Sequence, residues 1–379
     1  MKNYLLLLLI TLCLLCFGVA RSQAPQAPEI PFHRGINLSG WLLGRDSGQI
    51  RLNSSVKQDI INFKSLGCDV VRLVIGGLHT SLTSGSPAYT LRPSFFSSLD
   101  SVVNWAEELH LYLIFDNHTL FNDVKPAPVQ EMLHNLDDIL AKVWTQMAEH
   151  YKGRSDLIMY EILNEPHDLD ASKWGFIQGK VIDAIRTVDK KHTIIVGGAD
   201  WNNYTELKNL PVYSDPNLIY TFHFYDPFIF THQGATWTTK GLELLSGVPF
   251  PYNASKMPLC PDTLKGTGIE RDLKNYPNEG TVKSVKSLID IAVNFRITRN
   301  VRIFCGELGV LDWNSDPADR AYWYSVVSRY LEENGISWTT WDYRGGFGLF
   351  NKGSKLDFNH DLNIPLLRAL GFNVPPQTP

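Results

Sequence analysis

Cysteine is scarce. The 379-residue chain has five, and two of them, Cys13 and Cys16, fall inside an apolar first stretch. Cys68, Cys260 and Cys305 remain, which allows one internal disulfide at most and excludes a disulfide-framed fold. Cys68 and Cys305 stand beside strand-like runs and read as small buried hydrophobes. No cysteine or histidine spacing matches a zinc site, so neither a metal nor another cofactor is expected. A surplus of one charge is also missing: 35 Lys and Arg face 39 Asp and Glu, for a net charge of −4. Without a basic block, nucleic acid and anionic membranes are excluded as partners. After residue 20 no run is apolar and long enough to cross a bilayer. The segment "RGINLSGW" lacks the G-x-G-x-x-G turn of a doubly wound nucleotide-binding sheet. No internal repeat or interdomain linker is present, so one domain is expected.

What is there begins with "MKNYLLLLLITLCLLCFGVA". Lys2, a short apolar run and then small residues predict a secretory signal peptide, with cleavage near Ala20 to Ala24. The reading is a signal peptide over 1–22, a Pro/Ala/Gln-rich leader over 23–31, a catalytic domain over 32–372 and a frayed tail over 373–379. It implies a secreted or periplasmic protein, expected to be a monomer. Lipid attachment at Cys16 is the weaker alternative, because Leu15 precedes it where a small residue is usual. N-x-S/T sequons at Asn37, Asn53, Asn117, Asn203 and Asn253 read as chance occurrences.

Eight strand-like segments follow: "HRGINL", "VVRLVI", "LYLIFDNH", "LIMYEILNE", "TIIVGGAD", "LIYTFHFY", "VRIFCGELG" and "ISWTTWDY". Helical patterns lie between them. Leu136, Ile139, Leu140, Val143, Trp144 and Met147 recur at the helical period. Asp316 is placed to cap a helix with Pro317 at its first position, Trp323, Val326, Val327, Tyr330 and Leu331 as its buried stripe, and Gly335 as its stop. Other helices fit 54–66, 94–109, 172–188 and 281–296. Eight strands alternating with helices predict a single-domain (β/α)8 barrel. One connection, about 55 residues after "FHFY", is long enough to be expected to serve function.

In such a barrel the active site lies at the C-terminal ends of the strands. There the second strand carries Arg72, and the third ends in Asp116-Asn117-His118. The fourth ends in Asn164-Glu165, the sixth carries His223 and Tyr225, the seventh ends in Glu307, and the eighth reaches Trp341. Strand alternation predicts Glu161, Leu163 and Glu165 on one face. Pro166 should stop the ladder and press Glu165 toward extended geometry. Two glutamates across a barrel mouth suit glycoside hydrolysis, one as acid and one as nucleophile or base. Glu161 should point into the barrel one layer below Glu165, hydrogen-bonded by an Arg or His. Cys305 should fill space beneath Glu307. Trp41, Trp201 and Trp237 are candidates for outer sugar sites, each weighed against plain packing.

"LNEP" ending the fourth strand and "GELG" ending the seventh resemble glycoside hydrolase family 5, the retaining cellulase and mannanase family. The resemblance spans residues about 32 to 372. It implies Glu165 as acid/base and Glu307 as nucleophile. It further implies that Asn164 bonds the 2-hydroxyl of the reacting sugar, that Arg72 and Tyr225 hold the nucleophile ionised, that His118 and His223 line the site, and that Trp341 forms its floor. The expected activity is endo-hydrolysis of a plant β-1,4-glucan: cellulose-type, mixed-linkage or xyloglucan. A β-mannanase and an exo-acting or transglycosylating enzyme are the alternatives, and a non-catalytic carbohydrate-binding barrel the remote one.

Overall fold

The computed structural model describes residues 28–43, 51–76, 89–118 and 135–378. The signal-peptide reading, Cys13 and Cys16 lie outside the described residues. Eight parallel strands close into a barrel: β1 (Arg34–Leu38), β2 (Val70–Val74), β3 (Tyr112–Asp116), β4 (Ile158–Glu161), β5 (Thr193–Gly197), β6 (Leu218–Phe224), β7 (Ile303–Leu308) and β8 (Ser337–Thr340). Each lies within one of the predicted segments, and β1 pairs with both β2 and β8 to complete the ring.

Alternation along the strands sorts the side chains into two cores. Outward residues such as Leu73, Phe115, Tyr160, Phe222 and Cys305 pack beneath the helices. Inward residues Val70, Ile114, Met159, Ile195, Ile219 and Phe304 join Phe32 and Ile30 in an apolar floor that plugs the barrel. Ile30, read from the sequence as leader, thus belongs to this floor. Above it the inward positions turn polar: Asn37, Arg72, Asp116, Glu161 and Thr221, all buried. The barrel is a packed core with its polar layer under the active-site end.

The helices α1 (Val56–Ser65), α2 (Pro93–Glu108), α3 (Leu136–Tyr151), α4 (Ala171–Val188), α5 (Gly268–Glu279), α6 (Val282–Arg299), α7 (Pro317–Glu333) and α8 (Ile364–Ala369) surround it. Asp316 caps α7 as predicted, accepting from the amides of Ala318 at 2.9 Å and Asp319 at 3.1 Å. Gly335 follows the helix at φ = 65°, a left-handed position suited to glycine. The buried stripe of α7 is rotated from the prediction: Arg320 and Tyr324 are buried while Val326 and Tyr330 are half-buried. Arg320 turns inward because its guanidinium caps the carbonyls of Val310 and Phe347.

The long connection after β6 contains α5 and several short turns, and its first part, at Phe228, His232 and Trp237, faces the barrel mouth. The tail is not frayed as expected. Thr378 donates its amide to the Asn359 carbonyl at 2.8 Å, and Gln377 bonds the Phe358 carbonyl at 3.1 Å. Cys68, Cys260 and Cys305 are all free thiols. The sequons at Asn37 and Asn117 are buried, which closes them to modification. No helix among the described residues is long and apolar enough to cross a membrane.

Candidate active site

Eight of the strand-end residues converge: Arg72, His118, Asn164, Glu165, His223, Tyr225, Glu307 and Trp341. Arg72, fully buried, is the hub. Its Nε and Nη2 donate to the two oxygens of Glu161 at 2.7 and 2.8 Å. Nη1 donates to Asn37 Oδ1 at 2.8 Å and to Glu307 Oε1 at 2.9 Å, and Nη2 also donates to Asn164 Oδ1 at 2.8 Å. Asp116 lies 3.2 Å from the same guanidinium. Three carboxylates around it hold the guanidinium charged despite the burial that opposes charge. Glu161 plays the predicted role, paired from below. Burial pushes it up to about 7 against the pull of Arg72.

Glu307 is held at both oxygens. Oε2 accepts from the Tyr225 hydroxyl at 2.7 Å, opposite the Arg72 bond to Oε1. The Tyr225 hydroxyl keeps its proton, since burial and the Glu307 charge raise it well above the usual range. Glu165 is different. Burial pushes it up to about 7, and its Oε1 lies 2.7 Å from His223 Nδ1. Burial also drives His223 down to about 4, so that ring is neutral. His118 bonds Asp116 through Nδ1 at 2.8 Å. Burial would lower it, but the Asp116 carboxylate wins and raises it. The His118 ring stacks on Trp341 at 5.2 Å and 11°.

Two local irregularities aim the glutamates, and both depart from simple alternation. On β7 the register against β6 slips, so that Phe222 faces Cys305 but His223 faces Glu307. Gly306 is the extra residue of this bulge, which re-aims Glu307 into the barrel. Cys305 therefore faces the helices, not the space beneath Glu307; Phe304 lies on the inner side. At β4 the ladder ends at Glu161. Ile162 and Leu163 both join the outer core, so Leu163 does not share a face with Glu161. Glu165 has φ = +42°, in place of the extended geometry expected before Pro166. The turn is tied by the Asn164 amide to the Asn117 carbonyl at 2.9 Å. Because of it, the adjacent side chains of Asn164 and Glu165 both reach the site.

The cleft over this pair encloses about 1140 Å³. Trp201 and Trp237, both about half exposed, line it, as does Trp313. Trp201 stacks on His167 at 4.9 Å and 5°, and Trp237 meets Trp313 edge-on at 5.3 Å. Trp41 is fully buried and donates its indole N–H to the Val74 carbonyl at 2.8 Å, so it is a packing residue. Sequence reasoning missed Trp313, Asn37, Asp342 and His232. Trp313 lies six residues beyond Glu307 on the same strand-end loop, a position that could have singled it out. His232 packs against Tyr225 at 5.1 Å and braces that ring.

An oxygen of Glu165, a nitrogen of His223 and an oxygen of Glu307 all lie within 4.8 Å of one another. That spacing would admit a cation. However, both Glu307 oxygens already accept hydrogen bonds, and the neighbouring charge is the Arg72 cation. The Glu307 oxygens are thus committed to hydrogen bonds, and the set suits a metal poorly.

Comparison with known proteins agrees with this geometry. A family model described as Cellulase (glycosyl hydrolase family 5) matches residues 31–346. Endoglucanase 3 of Fibrobacter succinogenes is 29% identical over 353 residues, covering 86% of this chain and 51% of that protein, so the chain spans about half its length. Endoglucanase C of Acetivibrio thermocellus is 27% identical over 348 residues, covering 86% of this chain and 95% of that protein. The crystal structure of endoglucanase Cel5A from Thermotoga maritima aligns with a TM-score of 0.71 at 28% identity, covering 89% of this chain and 96% of that one. A closed barrel, a glutamate pair at its mouth and a family match over most of the chain lead to one conclusion: the chain belongs to the cellulase family, glycosyl hydrolase family 5, and is a glycoside hydrolase.

Proposed function

We propose that this protein is a secreted, retaining endo-β-1,4-glucanase acting on cellulose-type, mixed-linkage or xyloglucan backbones. The observation that carries the retaining mechanism is the closeness of Glu165 and Glu307, one oxygen of each within 4.8 Å. Retaining pairs stand about 5–5.5 Å apart, whereas inverting pairs leave about 6.5–9.5 Å for a water. Endo action on a glucan is supported by the relatives, which are endoglucanases by name. Secretion is supported by the apolar first twenty residues and their small-residue end.

The steps follow from the environments. Glu307, bonded by Arg72 and Tyr225, meets the anomeric carbon in one pose. Glu165 is kept protonated by burial and gives its proton to the departing sugar oxygen. Once ionised, Glu165 takes a proton from the water that attacks the glycosyl-enzyme, and Glu307 is released. Asn164, its carbonyl fixed by Arg72, presents its amide nitrogen for the sugar 2-hydroxyl.

Reducing-sugar release from carboxymethyl-cellulose, barley β-glucan, xyloglucan, xylan and galactomannan tests the proposal, with Glu307→Gln as the blank. Activity on the glucans, absent in the variant, is expected. Activity on galactomannan alone would keep the mechanism and replace the substrate. For the roles, Glu165→Gln with added azide should yield a β-glycosyl azide from an activated aryl glucoside; an α-configured adduct would refute retention.

A further inference from the structure

After β5, three consecutive residues that are not glycine, Asp200, Trp201 and Asn202, have φ of 56°, 57° and 53°. Each left-handed residue with a side chain costs about 1–2 kcal/mol, somewhat less for Asp and Asn. Such outliers persist where surrounding structure enforces them, often at functional sites. The turn sends its side chains two ways. Trp201 reaches the cleft, while Asn202 turns inward and is fully buried.

Asn202 occupies the space that a Cβ on Gly197 would need. An isolated parallel bridge between Asn203 and His223 fixes the turn against β6. Asn202 Nδ2 stands 3.5 Å from His223 Nε2, whereas its Oδ1 has no hydrogen-bond partner. Leaving that oxygen unpaired in the interior costs about 1–3 kcal/mol. A buried amide in a strained turn, bonded through its nitrogen only to a histidine of the active site, is not explained by packing.

The other nitrogen of that ring, Nδ1, faces Glu165 Oε1 at 2.7 Å. A neutral imidazole that accepts at one nitrogen carries its proton on the other. We propose that Asn202 is a positioning residue: by donating to Nε2 it holds His223 in the Nδ1–H tautomer. His223 then donates to Glu165 Oε1, which leaves Oε2 as the oxygen that carries the catalytic proton. The proposal rests on the reading of Glu165 as acid/base. The charged and titratable groups facing His223 are Glu165, Glu307, Arg72, Asp116 and His118.

The site repeats the device at His118, with Asp116 at Nδ1 and the Asn164 amide nitrogen 3.4 Å from Nε2. There the amide orientation is locked, because Asn164 Oδ1 accepts from Arg72. A reversed Asn202 amide would put an oxygen at Nε2, impose the Nε2–H tautomer and make Nδ1 an acceptor. Glu165 would then spend its proton on His223.

The ring nitrogens of His223 can be read in the intact protein labelled with ¹⁵N-histidine, by two-bond ¹H–¹⁵N correlation, with His223→Gln for assignment. Nδ1 should appear as a proton-bearing nitrogen and Nε2 as a lone-pair nitrogen at neutral pH. The opposite assignment overturns the proposal. The spectrum reads the tautomer whether or not any glucan is hydrolysed, so failure of the glucanase reading leaves a separate signature. For the enzyme, Asn202→Ala should lower kcat at least tenfold while KM changes less than twofold. The alkaline limb of kcat/KM should also move to higher pH, because ionised Glu165 loses its donor. Asn202→Asp, which can only accept at Nε2, should fall further than Asn202→Ala. Unchanged pH profiles in both variants would overturn the proposal, and if the variants misfold the parent spectrum still decides.

Discussion

Glu161 and Glu165 are both pushed up to about 7 by burial, yet they differ in what holds them. Glu161 has two guanidinium bonds from Arg72; Glu165 has one ring nitrogen. Activity that needs protonated Glu165 should therefore fall as pH rises through about 7. The stability linkage has a definite sign. A carboxyl whose folded-state pKa is raised contributes stability below its unfolded value, and loses it as pH climbs through the folded one. Glu165→Gln should match the parent at pH about 4 and exceed it at pH about 8, by on the order of 1–3 kcal/mol. Urea denaturation at the two pH values measures this, and an equal gain at both would contradict it. Arg72, His118, Asn164, Glu165, His223, Tyr225, Glu307 and Trp341 could be picked from the sequence because strand ends must supply the mouth of a barrel, whereas Trp313 and His232 stand on loops beyond them. The left-handed turn at Glu165 could not be picked, since Pro166 argues for extended backbone, and the bonds that hold the turn, from Asn164 to Asn117 and from Trp201 to Pro166, are tertiary.

At the scale of elements, Gly306 is where the strand rule bends. A Cβ there would lie 2.9 Å from Thr221 Oγ1 and 3.1 Å from His223 Nε2. Gly306→Ala should leave the circular dichroism spectrum unchanged but lower kcat about 10- to 100-fold by displacing His223 (about 1.4–2.7 kcal/mol of barrier). A folded variant of parental activity would show that the ring has room to move. Asp316→Ala acts elsewhere: loss of the α7 cap should cost about 1 kcal/mol in chemical denaturation with kcat unchanged. The strands, α3, α7 and its cap were legible because period and capping are local signals. The bulge was not, because a register slip belongs to two strands at once. Helix α5 escapes the sequence pattern because Gly268, Pro277 and five charged residues mask its short apolar face of Ile269, Leu273 and Tyr276.

The molecule as a whole presents a broad mouth with aromatic rings set at its margins. Trp237 and Trp313 meet edge-on at one margin, and Trp201 stacks on His167 at another. Trp237→Ala should raise KM for a polymeric glucan several-fold, a loss of about 1 kcal/mol, and change kcat for an aryl glucoside little. Equal effects on both substrates would place that ring at the reacting sugar. Arg72, on β2, also gathers β1 through Asn37, β3 through Asp116, β4 through Glu161 and β7 through Glu307. Five of the eight strands are fastened by one side chain at the centre of the site. This sets the order in which a descendant released from selection for catalysis would decay. Glu165 would drift first, since its tie to the barrel is the single ring of His223. Arg72 would persist longer as a fossil of the chemistry, because its loss would leave Asp116 and Glu161 buried without their cation.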